Sequence, residues 1–235
     1  MLGDILNSKG QPMTPSNSAY VGGASSRKRK SQAYRRSLPY DEDRALKATG
    51  RAILRLECQD MRRNNPIVGG VCERFSDNIV GTTGLTPVPK TSDDQWNDDA
   101  AELWREWSKV CDYRRRVNMR DLQRIAIQAR LIQGDMGTAL LSNGQIQPFE
   151  SERIDTPNAL RQKDGMIDGI QIDGAGAPRK YYVISRNERG GLDRDKYKTY
   201  NRSNFIHLTR SWRLDQLRGI PELANVMPML VDFGR

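Results

Sequence analysis

The chain has 235 residues and a formal charge of +9, with 37% hydrophobic and 29% charged residues. That length supports one good core and at most a small satellite domain, and the low apolar share points to extensive surface or unstructured tails. No apolar run approaches the roughly 20 residues of a bilayer span and the N-terminus lacks an apolar signal core, so no membrane insertion is expected.

An excess of Lys and Arg makes nucleic acid the first partner to consider, because cationic surfaces gain free energy by releasing counterions from phosphate. Cys58, Cys72 and Cys111 are scattered, odd in number and without CxxC spacing. With a single histidine in the chain, a zinc site is not expected, and buried free thiols in a reducing cytoplasm are. No metal or other cofactor is expected.

In chain order, residues 1–37 are rich in Ser, Asn, Gly and Pro before turning basic, and they carry no apolar periodicity. They read as a disordered basic arm. Arg27, Lys28, Arg29 and Lys30 are candidate nucleic-acid contacts, and equally the marks of a solvated tail. Residues 38–235 form the folded part. Asp41, Glu42 and Asp43 suit a helix start, and the helix buries Ala45, Ala48, Ala52 and Leu56 before Asn64-Asn65-Pro66. A second helix begins with Asn65 as cap and Pro66 at its first position. Its apolar stripe is Val68, Val71, Cys72, Phe75 and Ile79.

A third helix over 93–110 carries Trp96, Leu103, Trp104 and Trp107. A fourth, capped by Asn118, buries Leu122, Ile125, Ala126, Ala129 and Ile132 and closes at Gly134. From Asp135 onward, short apolar or alternating runs separated by Gly, Pro, Asn and Asp read as antiparallel strands, with a hairpin at Ser142-Asn143-Gly144. A last helix starts near Pro221 and runs to Arg235. The fold class is therefore α+β, with N-terminal helices followed by a mostly antiparallel sheet.

Chemistry-bearing residues are sparse. His207, in FIHLT, has no nucleophile or carboxylate near it in sequence and reads as a structural histidine. A metal-dependent nuclease would need Asp155, Asp168 and Asp173 to converge, and their spacing matches no motif. There is no GxxxxGK[ST], and no GxGxxG after a strand. Trp104 and Trp107, three apart on one helix face, suit packing against a core or a neighbouring subunit better than base stacking. Three consecutive arginines, Arg114, Arg115 and Arg116, cannot all face inward. In RLDQLRGIPEL, Arg213, Gln216 and Arg218 suit a loop making defined polar contacts. Residue chemistry alone thus reaches a basic, non-catalytic α+β domain. The alternatives to an assembly role are a stand-alone nucleic-acid-binding protein that uses the 27–36 arm, and a metal-dependent nuclease.

Six blocks in a fixed order give a sharper indication. RRNNPIVGGVCERFSDNIVGTTGL at 62–85 is followed by WREWSKVCD, by the helix of 119–134 running into QGD, by IQPFESERID at 146–155 and DGIQIDGAGAPRKYYV at 168–183, and by FIHLTRSWRLDQLRGIPEL at 205–223. Over about 170 residues this order resembles the lambda-type portal proteins of tailed phages. The resemblance implies a non-enzymatic subunit of a dodecameric head-tail connector ring in the virion of a phage or prophage, assembled in the host cytoplasm. It further implies partners: other copies of itself, the terminase motor, major capsid and head-completion proteins, and double-stranded DNA held without sequence readout. The matched part is the wing-like domain. The chain stops at Val231-Asp232-Phe233-Gly234-Arg235, before the family's stem, clip and crown. Trp104, Trp107, Arg213, Gln216 and Arg218 are the candidate subunit or partner contacts.

Overall fold

The structure is a computed structural model that describes Leu46 and residues 48–227. The basic arm with Arg27–Lys30, the acidic helix start at Asp41–Asp43 and everything past Met227 lie outside the described residues.

Four helices come first. Helix α1 (Ala48–Asn64) buries Gly50, Arg51, Leu54 and Cys58, a row of residues four apart plus one arginine. The expected face was a different one. Leu56 is exposed, and the burial of Arg51 is decided by a carboxylate 117 residues away. Helix α2 (Pro66–Val80) begins as expected: the Asn65 side chain accepts from the amides of Ile67 and Val68, with Pro66 at the first position. Such a cap contributes about 1 kcal/mol.

The apolar stripe of α2 divides. Val68, Cys72, Ser76 and Val80 are buried, while Val71, Phe75 and Ile79 remain exposed. The stripe is wider than the surface this subunit covers. Helix α3 (Asp94–Val110) is capped by Asp93, which accepts from the Trp96 amide. Helix α4 (Met119–Ile132) is capped by Asn118, which accepts from Asp121 N at 2.9 Å. Of its expected face, Leu122, Ala129 and Ile132 are buried, whereas Ile125 is 47% exposed.

Helices α1, α2 and α4 meet around Cys58, Val68, Cys72, Leu131, Ile132 and Met227. Ion pairs line the outer seams of α2: Arg124 of α4 reaches Asp77 at 2.6 Å, and Arg62 of α1 reaches Glu73 at 2.8 Å. Exposed pairs of this kind contribute little individually.

Two antiparallel sheets follow. In the first, β1 (Asp135–Leu140) is central, with β2 (Ile146–Glu150) and β7 (Phe205–Thr209) on its two sides. The β1–β2 turn is the expected hairpin, with Gly144 at φ 79°. In the second, β3 (Met166–Ile167), β4 (Ile170–Ile172), β5 (Pro178–Arg186) and β6 (Leu192–Asn201) pair in chain order. The sheets share a core of Ala139, Phe149, Ile154, Ile170, Tyr181, Val183 and Phe205. Each large apolar side chain there contributes on the order of 1.5–3 kcal/mol. Tyr181 stacks on Phe205 with centroids 4.5 Å apart. Gly137 admits that ring, since a Cβ there would lie 2.3 Å from Phe205 Cζ.

Strand β6 was not anticipated. Its sequence, LDRDKYKTYN, offers no apolar face because it is an outer strand, paired on one side only and largely exposed. Lysines on such an edge discourage pairing with another chain. The expected C-terminal helix starts as a short 3-10 turn, Glu222–Asn225, after Pro221; its continuation is not among the described residues.

Candidate functional site

The polar centre of the molecule is a buried cluster where the helices, both sheets and the 211–220 segment converge. Arg218 is its hub. Nε donates to Asp135 Oδ2 at 2.7 Å. One terminal nitrogen donates to the carbonyls of Ile154 and Asp168, at 2.6 and 2.7 Å. The other donates to Asp135 Oδ1, the Ser151 carbonyl and Ser151 Oγ. All five guanidinium N–H groups are answered inside the chain.

Asp135 accepts in turn from Arg218, from the Gly219 amide at 2.9 Å, from His207 Nε2 at 3.1 Å and from Ser151 Oγ. Beside it, Asp168 receives Arg51 Nε at 2.8 Å, with both side chains nearly excluded from water. Arg55 joins from the same helix, donating to Ser151 Oγ at 3.1 Å, so three guanidinium groups gather around these two carboxylates.

Electrostatics follow the geometry. Burial opposes ionisation of Asp135, yet Arg218 and His207 hold its carboxyl well below the usual range. The same competition, between burial and the nearby Arg218 and Arg51, lowers Asp168. Burial alone would weaken Arg218 as a base, but Asp135 and Asp168 raise it above the ordinary guanidinium range.

Backbone contact makes this cluster possible. Gly134 and Gly219 run directly against each other: a Cβ on Gly219 would stand 2.0 Å from the Gly134 carbonyl oxygen. Gly134 therefore both ends α4 and, at φ 92°, makes room for the segment that delivers Arg218.

This geometry corrects part of the sequence reading. Arg218 and Gln216 are not surface contacts. Gln216 is buried, accepts from the Trp212 amide at 2.8 Å and donates to the Arg218 carbonyl at 2.8 Å, pinning the turn that carries the arginine. Arg213 alone of the three is exposed, between exposed Trp212 and Leu214. Trp107 packs toward Cys111, Leu122 and Met136, and its indole N–H donates to the Gly144 carbonyl at 2.9 Å. Trp104 lies against Trp107, centroids 5.1 Å apart. It faces a cleft of about 500 Å³ between α3 and the start of α4. The outward tryptophan of α3 is Trp96.

Ser151, Asp135 and His207 do not form a nucleophilic relay, because the carboxylate lies between the other two and all three are buried or nearly so. His207 is the structural histidine expected, with Asp135 as its partner. Asp155, Asp168 and Asp173 do not converge. Asp155 pairs with Arg194, Asp168 with Arg51, and Asp173 accepts from the amides of Ala175 and Ala177. Among the described residues, no group of three or more His, Cys, Asp or Glu is placed to hold a metal ion.

A second feature is an open groove of about 730 Å³. Its floor is apolar, with Val117, Leu122, Ile125, Ile132 and Met136, and its rim carries Arg62, Arg114, Arg116, Arg153 and Arg186. The Arg114–Arg116 cluster thus lies beside a cavity; Arg115 turns the chain there at φ 52°. Arg62 and Arg186 are engaged by carboxylates, but Arg114, Arg116 and Arg153 form no salt bridge among the described residues.

The described residues thus form an α+β unit whose polar centre is satisfied within the fold, with further arginines around an open groove. The chain belongs to the phage portal proteins of the lambda family, whose family model matches residues 28–235. A comparison with curated proteins found no match.

Proposed function

We propose that this chain is the wing-like part of a portal subunit, one of a ring of copies through which double-stranded DNA is packaged into and ejected from a phage head. The observation that carries this reading is the family match across 28–235, which spans every helix and strand described above. The buried cluster supports it. Arg218 binds β1 through Asp135, the Ser151 turn, and the Asp168 carbonyl ahead of β4, holding together elements distant in sequence.

In this reading the terminase motor, major capsid and head-completion proteins act as partners, and the protein itself performs no turnover. Arg213, with exposed Trp212 and Leu214, forms a contact to another subunit or partner, since tryptophan and arginine anchor many interfaces. The 27–30 basic run meets DNA phosphate without reading sequence.

Mass measurement and negative-stain imaging of the whole polypeptide test the reading. Closed rings are expected; a strictly monomeric protein at assembly concentrations would overturn it. Deleting residues 1–37 should weaken salt-dependent DNA binding while leaving the folded domain unchanged.

A further inference from the structure

We propose that the outer face of α3 in one copy docks into the arginine-rimmed groove of a second copy, a head-to-tail interface that deepens, and rests on, the ring reading above.

Helix α3 is the least embedded of the four. None of its residues is buried. Trp96, Leu103 and Val110, seven apart and therefore in one row, are 55%, 71% and 54% exposed. Asp99 and Glu106 stand between them at three- and four-residue spacing, on the same face. Asp94, Asp98 and Glu102 extend a row of exposed carboxylates alongside. Within a chain of net charge +9, this helix and its cap carry six acids against Arg105 and Lys109. A face that alternates large apolar groups with carboxylates is poorly suited to water and well suited to a surface of the opposite pattern.

The groove has that pattern. Its floor is apolar and includes half-exposed Ile125, and Arg114, Arg116 and Arg153 on its rim lack salt-bridge partners among the described residues. Arg153 lies over the Phe149 ring at 4.8 Å, which holds its guanidinium in place. Phosphate would match the arginines but not the apolar floor.

The two surfaces share no residue. The groove uses Arg114, Ile125 and Ile132, whereas the outward row of α3 is Trp96, Leu103 and Val110. When each copy gives its α3 row to one neighbour and its groove to another, the contact is heterologous, and it closes into a ring where the rotation between copies divides a full turn.

Charge exchange in the full chain tests the pairing. Glu102→Arg with Glu106→Arg, and separately Arg114→Glu with Arg116→Glu, should each weaken self-association about tenfold or more, and combining all four should restore most of it. Circular dichroism and thermal melting establish that each variant is folded. A chain carrying Leu103→Cys and Ile125→Cys should give an oxidised ladder of multimers, whereas a mixture of the two single variants should stop at dimers.

Rings that form normally in both charge variants would overturn this pairing and leave the portal reading intact. Failure of the combined variant to recover, with folding preserved, would also overturn it. A wild-type chain that never associates would sink both readings. Loss of DNA binding with intact rings in the arginine variant would make the groove a nucleic-acid surface instead.

Discussion

Arg218 and Asp135 are 83 positions apart in sequence and meet through two hydrogen bonds, at 2.7 and 3.1 Å, with both side chains fully shielded from water. A bidentate pair at that depth fixes the 211–220 segment against β1. It also makes each partner dependent on the other, because either charge left alone would be buried without compensation.

Removing one partner should therefore be severe. Arg218→Ala and Asp135→Asn are each expected to lower unfolding free energy by roughly 3–5 kcal/mol, with ring formation failing in step with stability. Arg213→Ala should behave differently, leaving stability within about 0.5 kcal/mol while impairing assembly. Urea denaturation followed by tryptophan fluorescence, beside sedimentation of assembled protein, distinguishes the two. An Arg218→Ala protein of unaltered stability would contradict the hub.

Gly219→Ala places a methyl carbon 2.0 Å from the Gly134 carbonyl oxygen, with backbone on both sides of the collision. A loss of about 4 kcal/mol or more is expected, or failure to fold. Gly144→Ala is the control. Its φ of 79° is strained for an L-residue, but the space around it is open, so a cost of roughly 1–2 kcal/mol is expected. Equal effects at both positions would count against the close approach.

Acid sensitivity follows from the depressed carboxyl groups of Asp135 and Asp168. Their unfolded pKa is about 3.9, above the folded values, so on acidification the unfolded chain takes up protons first. The stability they contribute is complete above about pH 4 and is lost as pH falls through the folded pKa values. Urea midpoints between pH 6 and pH 3 should drop steeply at the acid end, and the slope should be shallower in Asp135→Asn. A midpoint independent of pH down to 3 would refute this.

All three thiols are buried, and burial pushes Cys58 up to about 12 and raises Cys72 and Cys111. Only a thiolate reacts readily with disulfide reagents. At pH 8 the native protein should react far more slowly than the urea-unfolded chain, which should titrate three thiols. Rapid native labelling of Cys58 would show that the α1–α2–α4 core opens readily.

Helix starts were legible because capping is local chemistry: Asn65, Asp93 and Asn118 each satisfy amides within three residues. The β1–β2 hairpin was legible for the same reason. Burial of a helix face was only partly so. Periodicity announces an apolar stripe but not how much of it a subunit covers, and Val71, Phe75, Ile79 and Ile125 therefore stayed outside. Strand β6 carried no signal, since an exposed edge needs no apolar alternation.

The sequence alone determined the succession of the four helices, the first hairpin, the α+β class and the portal resemblance, all of which reside in local pattern and in the succession of short blocks. Only the tertiary structure decided what Arg51, Gln216 and Arg218 do. An arginine reads the same in a chain whether it meets solvent, a partner or a buried carboxylate. What distinguishes these outcomes is a through-space neighbour, here supplied by Asp168 and Asp135 from strands and turns far along the chain. Burying a charge is tolerable only when such a partner is already in place.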